Sequence, residues 1–306
     1  MKLFSVIIFG LAWSLFFLAD AEGAENWRPV RIADKYGYVD SLGRFVIDPI
    51  FDYAKEFSEG RAVIGMYEEE HLKYGYINRK GEIVIPPQFS FADDFYEGLA
   101  RIKVEKFRLF RNYALWGFID TSGAVVIRPK YEYVGDFSED LASFKKVKRF
   151  LFFFKKTRYG FIDKKGRVVI EPRFHRVGNF AEGYAPVQIA DKRGYIDRTG
   201  KVVIEPRFEA ANCFSEGLAM VRLNGKYGYI DQQGNVVINP QFDEARDFSE
   251  GMALINIQNK WGYIDREGKL VIPPQFDEGS FFKNGRARVV RDGKTFYIDR
   301  RGNLLP

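Results

Sequence analysis

Apolar and polar positions along this chain fall into short blocks that return at a fixed interval. The clearest block is aromatic-Gly-aromatic-aliphatic-acid, first met as Tyr36-Gly37-Tyr38-Val39-Asp40. Its last position recurs at Asn78, Asp120, Asp163, Asp197, Asp231, Asp265 and Asp299, at spacings of 38, 42, 43, 34, 34, 34 and 34. The unit is therefore 34 residues long, and three early copies carry insertions of 4, 8 and 9. Each block runs into an acid-x-x-Gly turn (Gly43, Gly81, Gly123, Gly166, Gly200, Gly234, Gly268, Gly302). A β-branched run and a proline follow, as in Val237-Ile238-Asn239-Pro240, with an aromatic two residues later, as at Phe242. A Phe-Ser-Glu-Gly segment, clearest at Phe248-Ser249-Glu250-Gly251, closes the unit.

These positions predict strands. Ala219, Val221 and Leu223 alternate with Met220 and Arg222, the period-2 pattern of a half-buried strand, here strand A. Asn224-Gly225 supplies a tight hairpin turn, and Asp292-Gly293 repeats it. Strand B is the Tyr-Gly-Tyr-Ile-Asp block, whose glycine removes a side chain where something must approach closely. Strand C is the Val-Val-Ile run, ended by a proline that cannot donate to a ladder. Pro29-Val30-Arg31-Ile32 reads as strand A of the first copy. The expected fold is all-β: eight tandem three-stranded antiparallel meanders.

The linked motifs resemble the WG-repeat family. Trp116-Gly117 and Trp261-Gly262 carry the likeness, with Asp-x-x-Gly, Val-Ile-x-Pro-x-Phe and Phe-x-Glu-Gly in register. Tyrosine replaces the tryptophan in most copies, Arg193 breaks the aromatic in one, and Phe296 breaks the glycine in the last. The resemblance spans roughly residues 28–306 and implies a bacterial all-β repeat protein with no catalytic residues to transfer. A lone meander cannot bury its aromatic face, so copies must stack. An open superhelical, solenoid-like array is expected, with a closed β-propeller as the alternative. Propeller blades have four strands, and the pattern yields three.

The first residues predict export. Lys2 precedes residues 3–18, which are apolar apart from Ser5 and Ser14, and Ala19-Asp20-Ala21 offers small residues at the positions a signal peptidase reads. This run is short of the ~20 residues a spanning helix needs. A signal peptide over 1–21 and one repeat domain over 22–306 are the expected organisation, in the periplasm or outside the cell. The rest of the composition excludes more than it assigns. With one cysteine and two histidines there is no intrachain disulfide and no usual zinc site. No cofactor or metal is expected. Nucleic acid is disfavoured by export despite a net charge of +6.

The repeat explains repeated residues, so function is sought where copies differ. The turn aspartates offer one carboxylate each, which suits turn formation better than calcium binding. The glutamates Glu59, Glu97, Glu139, Glu182, Glu216 and Glu250 recur equivalently, which argues for a turn or capping role and against a glycosidase pair. His71 and His175 suit surface positions. No unique acid/base or nucleophile constellation appears, so an enzyme is not expected. The three insertions all lengthen the A–B hairpin, near 66–73, 103–115 and 145–158. The first contains Glu68, Glu69 and Glu70; the second contains Arg101, Lys103, Lys106, Arg108 and Arg111. In the third, Lys145, Lys146, Lys148, Arg149, Lys155, Lys156 and Arg158 flank an apolar tip that includes Phe152, Phe153 and Phe154. A cationic hairpin with an aromatic tip suits an anionic membrane or envelope surface. It equally suits a protein partner or a second copy of the chain. A lectin-like protein, binding carbohydrate or a small ligand through the repeated aromatics, is the alternative.

Overall fold

The computed structural model describes residues 27–108, 111–150 and 154–305, with backbone alone at 106–108, 111–112, 148–150 and 154–155. Residues 1–21, read above as a signal peptide, lie outside the described residues. Among these residues, 31 strands form eight antiparallel sheets and there is no helix. The chain divides into two units, Met1–Glu132 and Tyr133–Pro306. The first holds the sheets running from Arg28–Ile32, Tyr53–Ser58 and Phe91–Tyr96. The second holds the sheets that begin at Val134–Ser138, Arg176–Val177, Ala210–Ser215, Glu244–Ser249 and Glu278–Gly279.

The A–B–C meander is present in every sheet, and seven sheets add a fourth strand in front of A. Ala210–Ser215, for example, pairs with Leu218–Leu223. Its sequence hides it, because a register shift between Ala211 and Phe214 destroys the alternation. Four strands is also the number in a propeller blade, so strand count does not favour an open array over a ring. The leading strand turns into strand A through Glu-Gly, both residues at positive φ: Glu216 at 55° and Gly217 at 78°. That is the geometry of a two-residue hairpin loop.

Strand A is buried on both faces, not one. Ala219 and Val221 are fully buried, and so is Met220 between them at 6% exposure. The reason is that the sheet of Ala210–Ser215 to Val236–Phe242 is packed between two others. Leu218, Met220, Tyr229 and Ile238 of one sheet form a single cluster with Ala245, Phe248, Ala253 and Ile255 of the next. Burial of this kind is the main source of stability in a repeat that has no core of its own. The β-branched pair that opens strand C stays outside: Val236 and Val237 are exposed while Ile238 is buried.

The strand B glycine has a specific task. Tyr227 pairs with Phe242 and Tyr229 with Ile238, so Asn239, Pro240 and Gln241 bulge opposite Gly228. A Cβ on Gly228 would sit 2.5 Å from the Ile238 carbonyl oxygen and 2.6 Å from the Pro240 nitrogen. Gly37 and Gly262 face their own bulges in the same way. In the last sheet Leu304–Leu305 pairs only with Ile298 and Tyr297, so no described bulge covers Phe296. This is why a phenylalanine is accommodated there.

Candidate functional site

The insertions lengthen hairpins, as the spacing predicts. Strands A and B are five or six residues long in most copies. They reach eight in Arg61–Glu68 and His71–Asn78, and ten in Leu99–Arg108 with Arg111–Asp120 and Leu141–Phe150 with Phe154–Asp163. In the third extension the register sets Lys146 opposite Arg158, Lys148 opposite Lys156, Arg149 opposite Lys155 and Phe150 opposite Phe154. Positions 146, 148 and 150 share one face of the ladder with their partners, and 145, 147 and 149 share the other. Lys146 and Lys156 are exposed, and Lys145 and Arg158 are half-buried. Arg108 and Arg111 face each other at the end of the second extension. Phe152 and Phe153 lie outside the described residues, and Lys148, Arg149, Phe154 and Lys155 are placed by backbone alone.

Not every base in the extensions is free. Arg101 pairs with Asp93 at 2.5 Å, and its guanidinium carbon lies 5.5 Å from the centre of the Trp116 ring. Asp93 also accepts from Lys55 Nζ at 2.6 Å. Arg101 is thus fixed within the first unit and is not part of a docking surface.

The repeated carboxylates are committed to backbone. Asp40 Oδ1 accepts from the Leu42 and Arg44 amides, both at 2.9 Å, and Asp197 holds its own turn alike. The Arg44 amide above all holds Asp40 below the usual carboxylate range, and the Ser122 hydroxyl does so for Asp120. The glutamates cap turns, as their recurrence suggests, but the turns belong to the following copy. Glu59 accepts from the amides of Glu97 and Gly98, at 2.7 and 2.8 Å. Glu182 accepts from the Gly217 amide, Glu216 from Gly251, and Glu250 from Asn284 and Gly285. Each carboxylate therefore caps the Glu-Gly turn of the following copy, or the Asn-Gly turn in the last case. The adjacent serines tie the same copies together, as Ser215 Oγ donates to the Phe248 carbonyl at 2.8 Å. Partners a full repeat or more apart leave no local signature, and only the shared period points to them.

His175 also belongs to the repeat. It takes the place of Asp52, Asp243 and Asp277, and its Nδ1 accepts from the Ala190 amide at 3.2 Å. Asp243 likewise accepts from the Gln258 amide, so the position caps an A–B turn.

These interlocking motifs decide the family. The WG containing repeat matches residues 36–66, 74–106, 116–146, 159–192, 194–227, 227–261 and 261–294. The chain belongs to the WG containing repeat family. No curated protein matches its sequence. Among solved structures, a eukaryotic initiation factor is similar, with 12% identity over 91% of this chain and 84% of that one, at a TM-score of 0.59. Apo AztD from Citrobacter koseri is 9% identical over 92% of this chain and 93% of that one, at a TM-score of 0.48. The likeness to the initiation factor is one of fold alone.

Within the WG repeat, the two aromatics of strand B part company. The second is core except in the last copy, where Tyr297 is exposed: Tyr38, Tyr195 and Tyr229 are fully buried, and each hydroxyl donates to a backbone carbonyl 17 residues on, as Tyr229 does to Arg246 at 2.7 Å. Such residues are closed to any ligand. The first aromatics are half-buried and form a row in the first unit. Tyr53 lies 6.4 Å from Tyr36 and 5.4 Å from Tyr74, and Phe91 lies 5.3 Å from Trp116. A carbohydrate-binding row is thereby limited to these first aromatics.

Proposed function

We propose that this protein is an exported, non-enzymatic repeat scaffold that adsorbs to an anionic envelope surface through the hairpin of residues 141–163. The observation that carries the reading is the run of like-charged cross-strand pairs, Lys146–Arg158, Lys148–Lys156 and Arg149–Lys155. Like charges directly opposite destabilise a ladder, and residues 145–158 contain no acid to relieve them. An anionic surface supplies counter-charge to such a ladder. A basic residue near such a surface contributes about 1 kcal/mol, so the bases of this segment other than Lys145 suffice for binding in the range of about tens of micromolar. The aromatic tip adds apolar contact with the acyl boundary. The leader-like segment 1–21 supports export. The engagement of the turn aspartates and latch glutamates with backbone amides supports a scaffold role over an enzymatic one.

The test is co-sedimentation with phosphatidylglycerol vesicles. Replacing residues 147–157 by Asn-Gly restores the 34-residue unit and the turn found at Asn224-Gly225, so the variant keeps its fold. It is expected to lose vesicle binding, while the full-length protein binds and releases with added salt. Equal binding by both proteins sinks the assignment. Capture of a protein partner with no affinity for vesicles would replace it.

A further inference from the structure

In the second unit a cleft of about 350 Å³ opens among residues 176–247. Arg176 takes the place held by Tyr53, Phe91 and Tyr133 in the preceding copies and by Ala210, Glu244 and Glu278 in the following ones, and Arg193 takes the place held by Tyr159, Tyr227 and Trp261. One copy earlier, these two positions form the Tyr133–Tyr159 contact at 6.3 Å. Here the aromatic pair is replaced by two guanidiniums. Gly178 stands where most other copies carry a longer side chain, such as Lys55, Asp93 or Arg246. A Cβ on Gly178 would lie 2.7 Å from Pro186 Cγ and 3.5 Å from Cys213 Sγ. Gly178 and Ala211 both line the cleft.

The two guanidiniums are not spent on the fold. Arg176 has no hydrogen-bond or ion-pair partner among the described residues. The bond made by Arg193 is a 3.4 Å donation to the Ala211 carbonyl. By contrast Arg173 and Arg207 are tied to the carbonyls of Gly200 and Gly234 at 2.5 and 2.6 Å. The same cleft carries Asp247, whose two oxygens accept from Asn212 Nδ2 at 3.2 and 3.3 Å. Burial pushes the Asp247 carboxyl above its ordinary range, and the weak Asn212 contact and the Arg246 charge only partly oppose this. A carboxylate has about four lone-pair sites, so Asp247 retains acceptor capacity. Val177, Pro186 and Val187 supply an apolar lining.

We propose that this cleft binds a small zwitterion of dipeptide size, its carboxylate held by Arg176 and Arg193 and its ammonium by Asp247. Guanidinium forks match carboxylate oxygens in pairs. A desolvated carboxylate short of donors is stabilised by a cation beside it. The volume falls at the small end of ligand pockets. None of the residues lining the cleft belongs to the 141–163 hairpin, and neither assignment depends on the other.

The test is calorimetry on the full chain with three probes: glycylglycine, its N-acetylated form and its C-terminal amide. Glycylglycine is expected to bind, and removing either charge should weaken binding about tenfold or more. Arg176→Tyr and Arg193→Tyr restore side chains that neighbouring copies carry, so both variants should keep the wild-type melting temperature. Each should weaken glycylglycine binding by about tenfold or more. Asp247→Asn should erase the preference for the free amine over the acetylated probe. Absence of glycylglycine binding, or undiminished binding by the Arg176→Tyr/Arg193→Tyr protein, overturns the proposal. Equal affinity of the wild type for the acetylated and free peptides overturns it as well.

Discussion

Gly228→Ala isolates the close approach on which each sheet depends. The added methyl would lie 2.5 Å from the Ile238 carbonyl oxygen and 2.6 Å from the Pro240 nitrogen. Ordinary contact begins near 3.4 Å, so the bulged strand must move by about 0.9 Å. It has little freedom to do so. Its two anchors, Ile238 and Phe242, are 3% and 2% exposed and pack in the cluster shared with the next sheet. The obstruction is backbone, not the end of a flexible side chain, which places the cost at the upper end of overpacking, about 3 kcal/mol. In a unit of this size that corresponds to about 6–12 °C in melting temperature. Gly225→Ala is the matched control. Gly225 has φ of 79°, and a methyl added there would have no neighbour within 4 Å. Its cost is the left-handed backbone alone, about 1–2 kcal/mol. Urea unfolding of both variants, followed by tryptophan fluorescence, separates the two terms. If Gly228→Ala costs no more than Gly225→Ala, the bulge does not constrain the glycine and the reasoning fails.

Two further substitutions probe the links between copies. The amide of Gly285, and then Arg300, hold Glu250 below the ordinary glutamate value of 4.5. A carboxylate so lowered adds stability that is fully present above 4.5 and is lost as pH falls through its lowered value. The stability gap between wild type and Glu250→Gln should therefore close on acidification below 4.5, read by urea titrations at several pH values; a gap independent of pH there contradicts the latch. Tyr229→Phe leaves the Arg246 carbonyl without its 2.7 Å donor and should cost about 1–2 kcal/mol, which chemical denaturation would register; no loss would mean the hydroxyl contributes only bulk.

The parts of the fold that recur within one copy are legible in the sequence. Asp231 writes its turn with Gly234, Asn224-Gly225 writes a hairpin, and Gly228 marks a close approach. The parts that join copies are not. Ala210–Ser215 lacks alternation because it is bulged, and two leading strands are only two residues long, Arg176–Val177 and Glu278–Gly279. Glu216 is read as a turn or capping residue, and the turn its carboxylate caps lies one copy away. The cleft is concealed likewise, since the break at Arg193 is visible in the sequence but Asn212 and Asp247, which line the cleft from later copies, are not. The hairpin extensions are the reverse case. Their lengths and charges follow from the spacing, and the register adds that the bases stand opposite one another.

Contact between the 141–163 hairpin and an anionic surface is what the proposed function stands on. Amide hydrogen exchange on the full chain, with and without phosphatidylglycerol vesicles, reads that contact strand by strand. Protection should rise in 141–150 and 154–163, stay absent with phosphatidylcholine and reverse with added salt. Unchanged exchange in those strands, or protection confined to other sheets, would contradict it.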